Sequence, residues 1–322
     1  MENEAEVRVP PRNAMKSKAR KRRRMNERHS IVSLDINEAG FQGQKIIWSM
    51  RTYQKLHLYP QIHSEKKKPA RHPSKTEINE AQKIADKFHC FHHGKVIIID
   101  RTDSEVVQFI PLNQLTPQEK ADINLVTTFL HKSRKFVNPI APARTWGGKM
   151  WGVGWRKCMK ALELFGRYIK LRIARAFPNE YFSLAAQSVR VSSILGEMFK
   201  SLGHIPFESN RQLMQENEIP SFASGKFNTH LSQLDCAPHI TFTSNGFYNR
   251  PHRDKGDASE FAFGLFVPTK TSDGTLVDPI VDASLIKDST GGRFIFPDYQ
   301  FCIKFKPDVV VKVVWAAKRC KH

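Results

Sequence analysis

From Asp235 onward the apolar residues of this chain fall into short segments spaced for strands, not helices. The segments are residues 240–242, 261–267, 294–296, 301–305 and 309–315, and turn-forming residues separate them: Ser244, Asn245 and Gly246, then Ser272, Asp273 and Gly274, then Gly291 and Gly292. Several short strands at this spacing must pair in layers, as in a sandwich or jelly roll. No internal repeat is present.

Upstream the pattern is mixed. Residues 95–100 and 105–110 read as two strands joined by a short polar turn. Thr116 is placed to cap a helix, with Pro117 at its first position and Glu119 closing a capping box, and that helix is expected to run to about His131. A second helix is expected from near Trp155 to about Ala174. A third is expected from about Glu180 to Leu202, with Gly203 as a left-handed C-terminal cap. The expected fold is therefore α+β, with support helices over 116–203 and a β core over 235–322.

Charge divides the chain differently. The net charge is +20, of which residues 1–75 hold +11. Residues 16–24 are almost wholly basic, and Lys66, Lys67 and Lys68 form a second cluster. Such density opposes compaction, so residues 1–75 are expected to form a disordered basic arm and 76–322 the folded domain. A basic balance of this size favours a polyanionic partner and does not say which polyanion. Residues 16–24 fit a nuclear import signal or DNA-tethering arm as well as a solvated tail. The expected second helix repeats the theme: Arg156, Lys157, Lys160, Arg167, Lys170, Arg172 and Arg175 read as a solvated basic face behind Met159, Leu162, Phe165, Tyr168 and Ile169.

The five cysteines (Cys90, Cys158, Cys236, Cys302 and Cys320) are scattered and odd in number, which suits a reducing compartment. The N-terminus lacks a signal-peptide layout, and no apolar run reaches membrane-spanning length. The chain is expected inside the cell, in the nucleus or cytoplasm, with no membrane association. His89, Cys90, His92 and His93 crowd within five residues, unlike the paired spacing of zinc sites, and read as a polar approach to the following strand.

The chemistry concentrates at Asn249, Arg250, Pro251, His252, Arg253 and Asp254. In a strand, residues i and i+2 share a face, so His252 and Asp254 can reach one metal ion while Arg253 turns away. Imidazole plus carboxylate is two thirds of the 2-His-1-carboxylate facial triad that holds non-haem Fe(II). A second His from a distant strand would complete it.

This segment, running from Thr243 to Ser259 and on through Phe261 to Pro268, resembles the first iron-binding segment of the fungal Tet-like 2-oxoglutarate/Fe(II) oxygenase family, itself similar to the Tet and J-binding-protein dioxygenases. Gly291 to Tyr299 resembles that family's Gly-Gly turn and short strand. Val313 to His322 resembles the strand ending in its distal iron-ligand His. Gly147 to Arg156 is similar to a segment before its support helix. The resemblance covers about residues 90–322 and is strongest after Phe242.

The resemblance implies a double-stranded β-helix (jelly roll), Fe(II) on His252, Asp254 and His322, and 2-oxoglutarate as cosubstrate. It implies oxidation of the 5-methylcytosine methyl group in DNA, with the cosubstrate decarboxylated to succinate. It also implies a final strand after the distal His, carrying an Arg for the cosubstrate carboxylate. No residue follows His322 here, so the expectation is a barrel without that strand, with Arg156 as the candidate to take over the contact. Two rivals stay open: an inactive nucleic-acid-binding relict, and a same-fold oxygenase acting on protein or a small molecule.

Overall fold

In a computed structural model of the chain, the described residues are 31–34, 44–49, 74–99, 104–140, 145–146, 148–156, 166–227, 229–244, 247–249, 251–282, 284 and 292–322. Chain order gives β1 (Ile31–Leu34), β2 (Gln44–Ser49), α1 (Lys75–Ala85), β3 (His89–Phe91), β4 (Lys95–Ile99), β5 (Ser104–Pro111), α2 (Pro117–Ser133), β6 (Thr145–Trp146) and β7 (Lys149–Arg156). There follow β8 (Gly166–Arg167), α3 (Leu171–Ala176), α4 (Pro178–Leu202), α5 (His204–Glu216), β9 (His239–Ser244) and β10 (Tyr248–Asn249). The last elements are β11 (Ala262–Phe266), β12 (Arg293–Phe296), β13 (Phe301–Lys304) and β14 (Val309–Trp315). All five strand segments expected after Asp235 are strands, and so are the two before Thr116. No described helix is long and apolar enough to cross a membrane.

The largest sheet has the order β1-β2-β4-β5-β14-β11. Smaller sheets have the orders β12-β13-β3, β8-β7-β9 and β10-β6. Every residue of β14 is buried, because it packs on both faces. Val309, Val311, Val313 and Trp315 point into a core shared with Phe296, Tyr299, Phe301 and Ile303 of the β12–β13 hairpin. Val310 faces the helical layer with Ile123, Val126, Val191 and Ile194. Val314 meets Phe199, Leu202 and Phe207. The continuous Val run suits a strand covered on both sides. Lys312 also points off this helix-facing side, where burial lowers its pKa and Glu119 opposes that shift.

The helices follow their capping signals where these exist. Thr116 Oγ1 accepts the Glu119 N–H at 3.2 Å, and Glu119 Oε2 accepts the Thr116 N–H at 2.8 Å, as the sequence indicates. Ser74 and Glu77 form the same box on α1, a helix that sequence reasoning missed.

Four expectations are corrected. The helix expected from Trp155 is a strand: β7 runs through Arg156 and pairs with β9 and β8, and helix begins only at Leu171. Glycines explain the change. Gly152 lets the Tyr168 ring lie where a Cβ would stand 2.8 Å away, and Gly154 has φ +101°, with Phe222 and Pro238 O closing on it. The basic helical face expected there does not form as drawn, and residues 157–165 lie outside the described residues. Gly203 is not a left-handed cap: its φ is −153°, and it serves as the junction from which α5 starts. Two segments assigned to the basic arm are strands, with β2 parallel to β4 and β1 antiparallel to β2. Residues 16–24 lie outside the described residues. Finally, the parallel β3–β13 register places Cys90 opposite Cys302, and the two are disulfide-bonded. A pairing across 212 residues leaves no trace in cysteine spacing.

The stretch between α5 and β9 is fastened to α4 by one carboxylate. Asp235 Oδ1 accepts the Ser192 and Ser221 hydroxyls at 2.6 and 2.7 Å, and Oδ2 accepts the Ser232 N–H at 2.8 Å. Gly196 permits the contact, since a Cβ there would stand 2.0 Å from Leu234 O. Burial pushes the Asp235 pKa up, but the hydrogen bonds outweigh it and the net shift is downward. A depressed folded-state pKa contributes stability above the unfolded value, and that stability is lost as pH falls through the folded value. Asp235→Asn is therefore expected to cost about 1–3 kcal/mol near neutral pH. In urea titrations over a pH series, the gap from the parent should narrow below the ordinary carboxylate range. A gap independent of pH would contradict the assignment.

Candidate metal centre

β10 delivers the chain to Pro251, after which His252, Arg253 and Asp254 continue in irregular backbone. They are not in a strand, which corrects the sequence expectation. Their neighbour nevertheless holds them in strand-like pairing. The His252 N–H donates to His322 O at 2.7 Å and the His322 N–H to His252 O at 2.9 Å. The Asp254 N–H donates to Ala317 O at 3.0 Å. The turn that follows β14 thus lies antiparallel to the His252–Asp254 segment, and the alternation of side chains survives.

His252, Asp254 and His322 converge as a result. Their potential ligand atoms all lie within 4.8 Å of one another, and among the described residues this is the one cluster of His, Cys, Asp and Glu placed to hold a metal ion. His252 Nε2 stands 3.2 Å from Asp254 Oδ1, and His322 Nε2 stands 3.5 Å from Asp254 Oδ2. Burial pushes the Asp254 pKa up, but hydrogen bonds from the two imidazoles overcome this and hold the carboxyl well below its usual range. An ionised carboxylate between two imidazoles is the donor set of a facial triad. His322 is buried, whereas His252 and Asp254 are partly exposed, which gives the cluster one protein-covered side and one open side.

The surrounding groups explain why this geometry holds. Arg253 turns away from the cluster, as period-2 geometry requires, and its Nη2 donates to Asp298 Oδ2 at 2.7 Å. Asp298 is buried in the turn between β12 and β13, so this ion pair fastens the ligand segment to the second sheet. Behind His322, Cys320 Sγ donates to buried Glu105 Oε1 at 2.7 Å and lies 3.4 Å from the Tyr299 hydroxyl oxygen. These contacts fix the turn that carries the second imidazole. Asn249 Nδ2 lies 3.4 Å from His252 Nε2. Asp257 is the second carboxylate of the neighbourhood, and burial and then the charge of Asp254 raise its pKa.

The profile of the Tet-like 2OG-Fe(II) oxygenase superfamily matches residues 116–322, well over half of the chain and inclusive of all three clustered residues. The chain belongs to that superfamily. No curated protein sequence matches it. Membership makes the chain an Fe(II)- and 2-oxoglutarate-dependent dioxygenase by family, and the mixed α/β architecture is consistent with that fold.

The sequence-predicted residues fare unequally. His252, Asp254 and His322 come together. Arg156 ends β7, with its guanidinium carbon 5.7 Å from the centre of the Tyr168 ring. Burial raises the Tyr168 pKa, the Arg156 charge opposes this and Asp257 adds to it. Sequence reasoning missed Asp257, Tyr168, Asp298 and Trp315. Only Asp257, three residues after Asp254, carried a local signal.

The Arg253–Asp298 pair should matter for metal binding at a distance from the ligands. Arg253→Ala leaves a buried carboxylate without its cation and frees the ligand segment. Metal affinity is expected to fall about tenfold, the scale of outer-shell effects on metal sites. Competitive titration against a chelator checks this, and affinity equal to the parent's would remove the ion pair from the account.

Proposed function

We propose that this chain binds Fe(II) through His252, Asp254 and His322 and oxidises the methyl group of 5-methylcytosine in DNA, with 2-oxoglutarate as cosubstrate. The observation that carries this reading is the convergence of two imidazoles and one ionised carboxylate within 4.8 Å, inside a superfamily match. The connectivity supports a double-stranded β-helix: two facing sheets enclose one core, and the ligands come from adjacent segments at one end of it.

Iron and 2-oxoglutarate bound together supply an oxidant able to attack an unactivated C–H bond. The protein's own residues supply the rest. Asp254 stays ionised at neutral pH and needs no deprotonation to act as a ligand. The three groups occupy one side of the cluster and leave the other to the cosubstrate and the reacting methyl carbon. Arg156 is the proposed contact for a cosubstrate carboxylate, and Tyr168 steadies it by lying under the guanidinium. A methyl group inside a duplex is out of reach, so the base must be extruded toward the centre. The net charge of +20 suits the phosphate backbone of such a substrate, and residues 16–24, seven of them Lys or Arg, fit both a DNA contact and nuclear import.

Two experiments bear on this. In the first, the full chain is assayed with Fe(II), 2-oxoglutarate and methylated or unmethylated duplex, with succinate and 5-methylcytosine measured together. Succinate release coupled to 5-methylcytosine loss is expected, and His252→Ala or Asp254→Ala should lower both by at least about 100-fold. Iron content equal to the parent's in those variants would reject the ligand set. Succinate release without 5-methylcytosine loss would reject the substrate and favour an oxygenase acting on protein or a small molecule. In the second, the seven basic residues of 16–24 are replaced by Gln, which leaves β1 and β2 intact. Each phosphate left without its cation should make the slope of log K against log salt shallower by about 0.9 on duplex DNA. An unchanged slope would take this run out of the binding account.

A further inference from the structure

Two large aromatic side chains stand in the open at the junction of α3 and α4. Phe177, which closes α3 and precedes α4, is 47% exposed, and Phe182, one turn into α4, is 67% exposed. The rings beneath them are packed: Phe136 and Tyr181 have centroids 5.4 Å apart, and Tyr181 and Phe182 5.6 Å. The end of α2 is tied to the start of α3, because the Lys170 N–H donates to Phe136 O at 2.7 Å. Cations surround the exposed rings. Lys135 Nζ lies 3.7 Å from the centre of the Phe177 ring and pairs with Glu180. Arg172 and Arg175 are three residues apart on α3 and share one side of it. Both are exposed, and among the described residues neither enters an ion pair.

We propose that this junction binds single-stranded DNA, with Phe177 and Phe182 stacking on unpaired bases and Arg172 and Arg175 meeting the phosphates. The inference rests on the DNA reading above for its choice of polymer, and not on the iron ligands. Every base has a flat π face, and open aromatic rings set among cations hold bases without regard to sequence. A closed duplex hides those faces, so it offers these rings nothing to stack on. Charge argues against other occupants. In an isologous contact with a second copy the patch would meet itself, and Arg172 and Arg175 would face their own images. In a lipid bilayer Lys135, which lies over Phe177 and is paired with Glu180, would have to follow the ring out of water. That desolvation is costly, and a strand of DNA does not impose it. Base extrusion costs least where a strand is already unpaired. The patch therefore directs the chain to open DNA, where the proposed reaction has least to overcome.

The test is fluorescence anisotropy of a labelled oligothymidylate with the full chain and no added metal. Phe182→Ala is expected to weaken binding about tenfold, the scale of one lost base stack, with the salt slope unchanged. Arg172→Gln together with Arg175→Gln should make the slope of log K against log salt shallower by about 1.4, at about 0.7 for each phosphate contact on a single strand. An abasic strand of the same length keeps the phosphates and lacks the bases, so on it Phe182→Ala should bind as the parent does. Should Phe182→Ala fail to fold by circular dichroism, Phe182→Leu keeps the apolar bulk and still removes the ring. Parent-like binding of the oligothymidylate by the ring variant overturns the proposal. So does an equal loss on the abasic strand, which would make the ring's role structural, and so does an unchanged salt slope in the arginine variant. Three results would assign the face to another occupant and overturn it equally: a parent that sediments as a dimer where the ring variant is a monomer, Phe182-dependent binding to phosphatidylserine vesicles alone, or tighter Phe182-dependent binding of oligouridylate than of oligothymidylate. Phe182-dependent binding of the oligothymidylate, in a chain that removes no 5-methylcytosine when loaded with iron, would reject the reaction and leave the patch standing.

Discussion

The burial of β14 on both faces is the constraint on which the remaining architecture depends. Alternation along a strand sends Val309, Val311, Val313 and Trp315 to one side and Val310 and Val314 to the other. The first set joins the large sheet to the β12–β13 hairpin, and the second joins it to the helices. A strand so covered has little freedom of register, because a slip of one residue would exchange its two faces. Here it would also carry Lys312 from the helix side, near Glu119, into the core between the sheets. The chain leaving β14 therefore starts from a fixed point, and seven residues later it presents His322.

That rigid start explains how a cluster can form from irregular backbone. Neither the His252–Asp254 segment nor the turn over residues 316–322 is a strand, yet three backbone hydrogen bonds pair them. Two side-chain ties hold the pair in place from behind, Arg253 to Asp298 and Cys320 to Glu105. Each links a ligand-bearing segment to a separate strand system. The ligands are thus positioned by groups that never touch a metal, and the electrostatics follow: two imidazoles beside one carboxylate keep that carboxylate ionised despite its burial. The chemistry assigned to the superfamily needs a donor set of this kind with one side open.

The main misreading of the sequence is also physical in origin. The residues from Trp155 onward carry aromatic and apolar side chains at intervals that suit a helix, together with many basic residues. Strand structure wins through Arg156 because Gly152 and Gly154 make room for Tyr168, Phe222 and Pro238, which come from elsewhere in the chain. A helix propensity summed over a window has no access to such partners. The same holds for Gly203, whose role as a junction depends on α5 packing beside α4, and for Cys90, whose partner is chosen by a parallel ladder. Local signals succeeded where their whole mechanism is local: the Thr116–Glu119 capping box needs nothing beyond four consecutive residues.

The sequence by itself determined the class of the fold, the order of its strands after Asp235, the helix opened by Thr116 and the pair His252 and Asp254. Each depends on spacing along the chain, through a period of two or a cap that spans four residues. His322 was legible only through family resemblance, since nothing in its immediate neighbours marks it as a ligand. Only the tertiary structure decided that His322 pairs with His252, that Asp298 answers Arg253, and that Trp315 Nε1 and Cys320 O both lie 3.1 Å from one ring nitrogen of His322. Those relations join residues brought together by sheet pairing, and the distance between two such groups is a property of the folded register, which no spacing in the chain encodes.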